Sequence, residues 1–335
     1  MTRTRLYLIV LLLISILAFY LVNSQQSSTL TGDEKDFAVT PIDAVTQIDI
    51  SGSNGYTTKI VQEQGNNWMV NNRYKARPDA VETLLGTLKR LKVKHLVSKT
   101  AMPNVKASFK KPVKTVKVYL NKESTPSKVF HIGNVTANKL ATYMMLEGAE
   151  NPYAVYMPGM EGQLHTRFFN LPEEWRDRMV FNLIPEQISK VMIDYVRTPK
   201  QSFELNMSND STATVQSSGT DAPKKANGKV VKTYLNGFEN IYCEAFENDH
   251  PRIDSVKQSQ PFCTMRVTDT AGNEKSLVIH NMLVNKRSKR QVDAEGNAVL
   301  YDSDRYLAFI NKGRDLVLLQ DFVFGQFFKK KEDFL

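Results

Sequence analysis

Two stretches of the chain run through the same order of elements, and this recurrence constrains the fold more than any single motif in its 335 residues. Residues 45–51 (VTQIDIS) place apolar Val45, Ile48 and Ile50 on a short strand. Residues 188–195 (ISKVMIDY) answer with Ile188, Val191 and Ile193. Two further strands follow each: 57–62 and 68–70 in the first stretch, 203–207 and 212–215 in the second. A helix comes next in both. Pro78 and Asp79 suit a helix start, and Val81, Leu84, Leu85, Leu88 and Leu91 make one apolar face. The second helix is expected over 230–246, with Val231, Leu235, Phe238, Ile241, Tyr242 and Ala245 apolar. Strands at 115–120, 129–133, 140–146 and 153–157 are then answered by 264–267, 277–279, 305–309 and 316–319. Agreement over so many elements indicates an internal duplication. The expected fold class is α+β: an N-terminal transmembrane helix, then two similar halves, each a mainly antiparallel sheet packed on one helix.

The beginning of the chain sets the expected address. Arg3 and Arg5 precede an uncharged run of 17 residues, Leu6 through Val22. As a helix it rises about 25 Å, close to the ~30 Å hydrocarbon core, and Tyr20 sits at its far end. The positive-inside rule keeps the two arginines in the cytoplasm and sends the rest across. A cleaved signal peptide is the competing reading, but no small-x-small site follows the bulky Phe19, Tyr20, Leu21 and Val22. The expectation is a single-pass protein of the inner (cytoplasmic) membrane, N-terminus inside and bulk in the periplasm. Its segments are 1–22 start and anchor, 23–36 flexible tether, 37–165 first repeat, 166–187 joint and 188–335 second repeat. The second repeat carries a polar insert over 208–228, read as a mobile loop.

Composition closes off several classes. A hydrophobic fraction of 41% and a charged fraction of 24% belong to an ordinary folded chain, not to a polytopic membrane protein or a disordered one. Two cysteines are too few for a disulfide framework or a four-cysteine zinc site. The net charge is +9, with basic clusters at Lys110-Lys111, Lys224-Lys225, Lys286 to Arg290 and Lys329 to Lys331. An exported protein does not meet nucleic acid, so nucleic acid is not an expected partner. Anionic lipid headgroups or an acidic protein surface suit these lysines better, and solvated loop tips are the plainer reading.

Several short motifs together resemble the bacterial family catalogued as domain of unknown function 4340. They are the I-x-I strand at Ile48 and Ile50, the Trp68-Met69-Val70-Asn71 strand with Tyr74, and Pro78-Asp79-Ala80-Val81 before the leucine helix. His131-Ile132-Gly133, Val155-Tyr156 and Trp175-Arg176-Asp177-Arg178 complete the set. The sequence departs from the pattern at Phe109, where a Tyr-Gly pair is expected before Pro112. The resemblance implies a single-span protein with an exported repeat domain and no established activity. It associates the chain with ATP-driven export systems and surface-motility machinery.

The chemistry-bearing patterns are sparse. There is no phosphate-binding glycine loop, no H-E-x-x-H and no G-x-S-x-G. His95, His131, His165, His250 and His280 are scattered, and no two stand four residues apart. His131 and His280 fall on roughly equivalent strands. Asp302-Ser303-Asp304 starts like a calcium loop but has Leu307 and Gly313 where glycine and glutamate are needed, so it is read as a turn. Glu173-Glu174 reads as dipole compensation at a helix start. No catalytic, cofactor-binding or metal-binding residues are assigned, no cofactor is implied, and no enzyme activity is expected.

Two features remain. Cys243, placed on the second helix, and Cys263, on a neighbouring strand, either form a disulfide or stay as two buried thiols. The tail offers Phe327, Phe328, Lys329, Lys330 and Lys331 as a membrane or partner surface, or as the last strand of the second half. The leading functional expectation is a periplasmic accessory or scaffold module, a companion of an ABC-type exporter or other envelope machinery, with that transporter or envelope protein as partner and with the membrane held through Leu6 to Val22. The alternatives are a module binding a small envelope ligand between the halves near Trp175, and a hydrolase with an unfamiliar site.

Overall fold

The computed structural model describes residues 35–160, 163–208, 212–217, 222–286 and 288–335. The expected anchor, Leu6 to Val22, lies outside the described residues, as does most of the tether. Among the described residues, no helix is long and apolar enough to cross a membrane. The chain divides into two compact units, with the boundary between Asp177 and Arg178.

The first unit is built on a nine-stranded sheet. Its strands are β1 (Val45–Gly52), β2 (Thr57–Gln62), β3 (Trp68–Val70), β4 (Tyr74–Lys75), β5 (Lys92–Leu96), β6 (Lys114–Leu120), β7 (Lys128–Val135), β8 (Thr142–Leu146) and β9 (Tyr153–Tyr156). They lie in the order β4-β3-β2-β1-β6-β7-β8-β9-β5, and each recorded pairing is antiparallel. Strand alternation explains the core. Val70, Ile60, Ile48 and Val118 stand opposite one another across four neighbouring strands and are fully buried. Over this row lies the helix Pro78–Arg90, which buries Ala80, Val81, Leu84 and Leu88 in the same core.

The second unit repeats this plan. Besides a short pair, β10 (Met179–Phe181) with β15 (Ile241–Tyr242), it holds β11 (Ile188–Tyr195), β12 (Phe203–Met207), β13 (Ala213–Gln216), β14 (Lys224–Lys225), β16 (Ala245–Phe246), β17 (Cys263–Asp269), β18 (Glu274–Leu283), β19 (Tyr301–Ile310) and β20 (Asp315–Gln320). The order β14-β13-β12-β11-β17-β18-β19-β20-β16 is that of the first sheet, strand for strand. Register agrees in detail. Val215, Leu205, Val191 and Val267 form the equivalent buried row. An irregularity falls between Val45 and Gln47 where β1 meets β6, and between Ile188 and Lys190 where β11 meets β17.

The segments outside the sheets are also paired. Entering each unit, Phe37 and Phe181 are buried, and a lysine of the sheet reaches back to the backbone beside them. Lys128 Nζ donates to the carbonyls of Asp36 and Ala38, and Lys275 Nζ donates to that of Val180. Val39 N donates to Leu88 O, and Leu183 N to Phe238 O just past the helix end, fixing each entry segment to its helix or to the turn that ends it. Leaving each unit, a closing segment returns to the helix start: Arg77 N donates to Trp175 O, and Asn227 N to Phe334 O, each at 2.7 Å. Residues 166–187, the expected joint, contain the boundary between the units. Those before Arg178 close the first unit and those after it open the second.

Three expectations are corrected. The second helix spans Gly228–Asn236, not 230–246, because Gly237 and Asn240, the latter at φ 54°, end it and the chain turns into β15 and β16. A second, short helix also packs on the opposite face of each sheet. Met102–Ser108 covers Tyr143 and Met145 with Val105 and Phe109, while Ile253–Gln258 covers Leu307 and Phe309. Gly133 serves this packing: a Cβ there would stand 2.9 Å from the Phe109 ring. Finally, Asp302-Ser303-Asp304 lies within β19, not in a turn.

Both tryptophans, Trp68 and Trp175, belong to the first unit, so their fluorescence reports on it alone. Truncating Ile50 or Ile193, both fully buried, removes the same position from the two cores and should cost about 2–4 kcal/mol each. Ile50→Ala should lower the denaturant midpoint seen by fluorescence. Ile193→Ala should leave that midpoint in place and move the transition followed by far-UV circular dichroism.

Candidate interaction surface

The two units differ most in one connection. Between β7 and β8 the chain turns tightly, with Thr136 N donating to Ala141 O. Between β18 and β19 it extends into a hairpin arm. Val284 N donates to Leu300 O, Val299 N to Gln291 O, and Val292 bridges Ala298. The tip is fixed by Asp293, whose carboxylate accepts from the backbone N–H of Glu295 and Asn297, and Gly296 takes φ 88° to close the turn. Those hydrogen bonds hold the Asp293 carboxyl below its usual range. The arm exposes Leu283, Val292 and Leu300, the last at 64%. It also exposes Lys286, Lys289 and Arg290. At its base Arg197 donates to the Tyr301 hydroxyl at 3.4 Å and lies over that ring. Apolar side chains beside a cationic run are the chemistry of a surface that meets an acidic partner.

The tail is not a last strand. It folds into short helical turns, Asp321–Phe324, Gly325–Phe327 and Lys331–Phe334. Phe327 is fully buried and packs 4.4 Å, ring to ring, from Phe238, and Phe328 is half-buried between Phe262 and Tyr306. The tail aromatics are taken because they close the second unit, as Leu164, Phe168 and Trp175 close the first. The Tyr195 hydroxyl, donating to Lys329 O, and the Tyr234 hydroxyl, donating to Phe327 O, hold the tail down. Lys329 and Lys330 remain exposed, and Lys331 Nζ donates to Ser217 Oγ. Phe322 projects, at 96% exposure.

Cys243 and Cys263 are both buried, and neither is in a disulfide. Cys243 lies past the helix end, between β15 and β16, and Cys263 opens β17. Burial pushes the Cys263 thiol far above its usual value. The histidines do not converge. Register places Phe130 opposite Val116 and Leu277 opposite Met265, so His131 corresponds to Val278, and His280 to Gly133. His131 Nδ1 meets Thr115 Oγ1 at 3.0 Å, and His280 Nδ1 meets Ser259 Oγ at 2.9 Å. Burial lowers both rings from their ordinary values. Trp175 is fully buried, its indole donating to Phe169 O at 2.8 Å, so it is a core residue and not a ligand platform. Among the described residues no group of three or more His, Cys, Asp or Glu is placed to hold a metal ion.

Two elements escaped the sequence reading and matter here. Edge strand β16 is pinned by Arg305, whose Nε and Nη2 donate to the Glu244 carboxylate, each at 2.9 Å. A cleft of about 720 Å³ lies between β10 and the β17–β18 and β19–β20 turns, lined by Phe181, Asn182, Asp269, Lys275, Lys312 and Arg314 among others. Neither has a motif: the ion pair joins residues 61 apart, and the cleft is assembled from one short strand and two turns distant in sequence.

Comparison with known proteins returns one family. The model of the family described as domain of unknown function (DUF4340) matches residues 68–261, more than half of the chain, and the chain belongs to that family. The match begins at β3 and ends just before β17, crossing from one unit into the other. No curated protein and no solved structure matches the chain.

Two measurements check this geometry. Denatured without reductant, the protein should take up two alkylating groups, while the native protein should take up neither over the same interval; a single or absent modification after denaturation would reveal a bond. The Arg305 hydrogen bonds hold the Glu244 carboxyl below its usual 4.5. A carboxyl depressed in the folded state stabilises above its unfolded value and loses that contribution as pH falls through the folded value. Glu244→Gln should therefore cost about 1 kcal/mol at pH 7 and less at pH 3, read from melting temperatures.

Proposed function

We propose that this member of the DUF4340 family is a membrane-tethered, non-enzymatic periplasmic module that engages an acidic protein partner of an export or envelope assembly through the second unit's hairpin arm. The observation that carries the reading is the asymmetry of a duplicated fold. Two units share strand order, register and closure, and one of them extends a single connection into an arm bearing exposed apolar and cationic side chains. A duplication that packs the same way twice needs no arm for stability, so the arm is free for recognition. The run Leu6 to Val22 with Arg3 and Arg5 supports the tether. The family supports no catalytic assignment, and the transporter as partner rests on the association that the resemblance brings.

A second reading, a binding module for a small envelope ligand, is favoured by the cleft of about 720 Å³ beside β10. It lies wholly within the second unit's residues.

In-cell crosslinking of the full-length protein, followed by mild-detergent purification and mass spectrometry, separates the two. Recovery of one envelope protein, reduced roughly tenfold by the charge reversal Lys289→Glu with Arg290→Glu, is the outcome expected of the arm. Recovery unchanged by the reversal would refute the arm as the contact. A small molecule retained by the purified protein and lost on Lys312→Glu would transfer the assignment to the cleft.

A further inference from the structure

A second cleft lies in the first unit, on the partly exposed side of the helix Pro78–Arg90. It encloses about 370 Å³ and is lined by Thr83, Gly86, Thr87, Arg90, Met157 and Arg167, with Glu82 at its rim. Arg167 ends the 3-10 turn Leu164–Arg167 in the closing segment. Its Nε is shielded from solvent and has no hydrogen-bond partner among the described residues. That nitrogen gains nothing from its surroundings to offset its burial, while the side chain as a whole lines the cleft, so its charge is left for a ligand there to balance. Arg90 supplies the second guanidinium. Its Nε donates to Gly86 O at 3.0 Å, which holds the side chain back along its own helix. Nη2 is thereby carried over Gly86, 3.7 Å from where a Cβ would stand. Gly86 thus leaves the cleft open beside Arg90, in a helix where an alanine would fit the backbone better.

The geometry points to a binding site for a phosphate-class oxyanion. Two forked guanidinium groups suit the multiple oxygens of a phosphate. Thr83 lines the same cleft and can add a hydroxyl donor. Thr87 is already engaged, donating to Thr83 O at 2.7 Å, and so shapes the wall. Glu82 offsets one positive charge, which sets the site for a single phosphate group and against a polyanion. The phosphate is either free or the terminal group of a small phosphomonoester. This site is independent of the hairpin arm and of the partner reading.

Calorimetric titration of the full-length protein in detergent micelles tests it, with inorganic phosphate, glycerol 3-phosphate and acetate as the three probes. Saturable binding of a phosphate probe is expected, weakened about tenfold or more by Arg167→Gln and by Arg90→Gln, and strengthened by Glu82→Gln. Gly86→Gln should block the opening and abolish binding without lowering the melting temperature, and it carries the test if Arg167→Gln fails to fold. Phosphate binding without glycerol 3-phosphate binding identifies the free ion; equal or tighter binding of the ester identifies the monoester. The proposal is overturned if neither phosphate probe saturates, if acetate binds as well as phosphate, or if affinity survives both Arg90→Gln and Gly86→Gln.

Discussion

Each unit depends on one long-range pairing. Ile48 must find Val118, and Val191 must find Val267, before any surface exists for a helix to cover. The other ladders of each sheet are mostly hairpins between neighbours in sequence, while these join strands separated by the helix and the edge strand. Their closure carries the main entropic cost of the fold, and the buried row of aliphatic side chains across four strands offsets it. The shared irregularity after Val45 and after Ile188 sits at the start of this same ladder. It keeps the apolar residues that follow on the core side, where a slip of one residue would turn them to solvent.

Around that pairing, polar atoms do the fastening. Lys128 and Lys275, at equivalent positions, spend their ammonium groups on backbone carbonyls of the entry segments. Lys114 does the same for the closing segment of the first unit, donating to His165 O at 2.9 Å, and burial lowers its pKa. The matching place in the second unit is Cys263, and there the Tyr195 hydroxyl takes over, reaching Lys329 O. Irregular backbone that runs against a sheet must have its carbonyls satisfied, and a long donor from the sheet is a cheap means to that end.

Much of this was legible in the sequence because it follows from periodicity. Strands such as 57–62, 188–195 and 203–207 match the structure to the residue, since alternation and flanking turns mark both ends. What failed had no periodic signal. Apolar Ile241, Tyr242 and Ala245 continue a helical spacing by chance, and only the turn at Gly237 and Asn240 breaks it. The edge strand Lys92–Leu96 carries no strand signal of its own, because an edge exposes most of its side chains. The tail's phenylalanines looked unpartnered because their partners, Phe203, Tyr234 and Phe238, lie some ninety or more residues upstream. The arm was visible as a basic cluster, but its projection from the sheet was not. The arginine cleft was invisible, since Arg90 and Arg167 line one cleft only once the closing segment has returned to the helix.

That return has a consequence for how the chain is made. Trp175 completes the first unit, and nothing in that unit's core comes from beyond it. The first half can therefore settle into its final shape while the second is still emerging from the ribosome. The second half has no such early release. Its helix start waits for Phe334, and its core waits for Phe324 and Phe327, so it stays open until those residues have been made. The same architecture, written twice, is sealed early in one copy and late in the other.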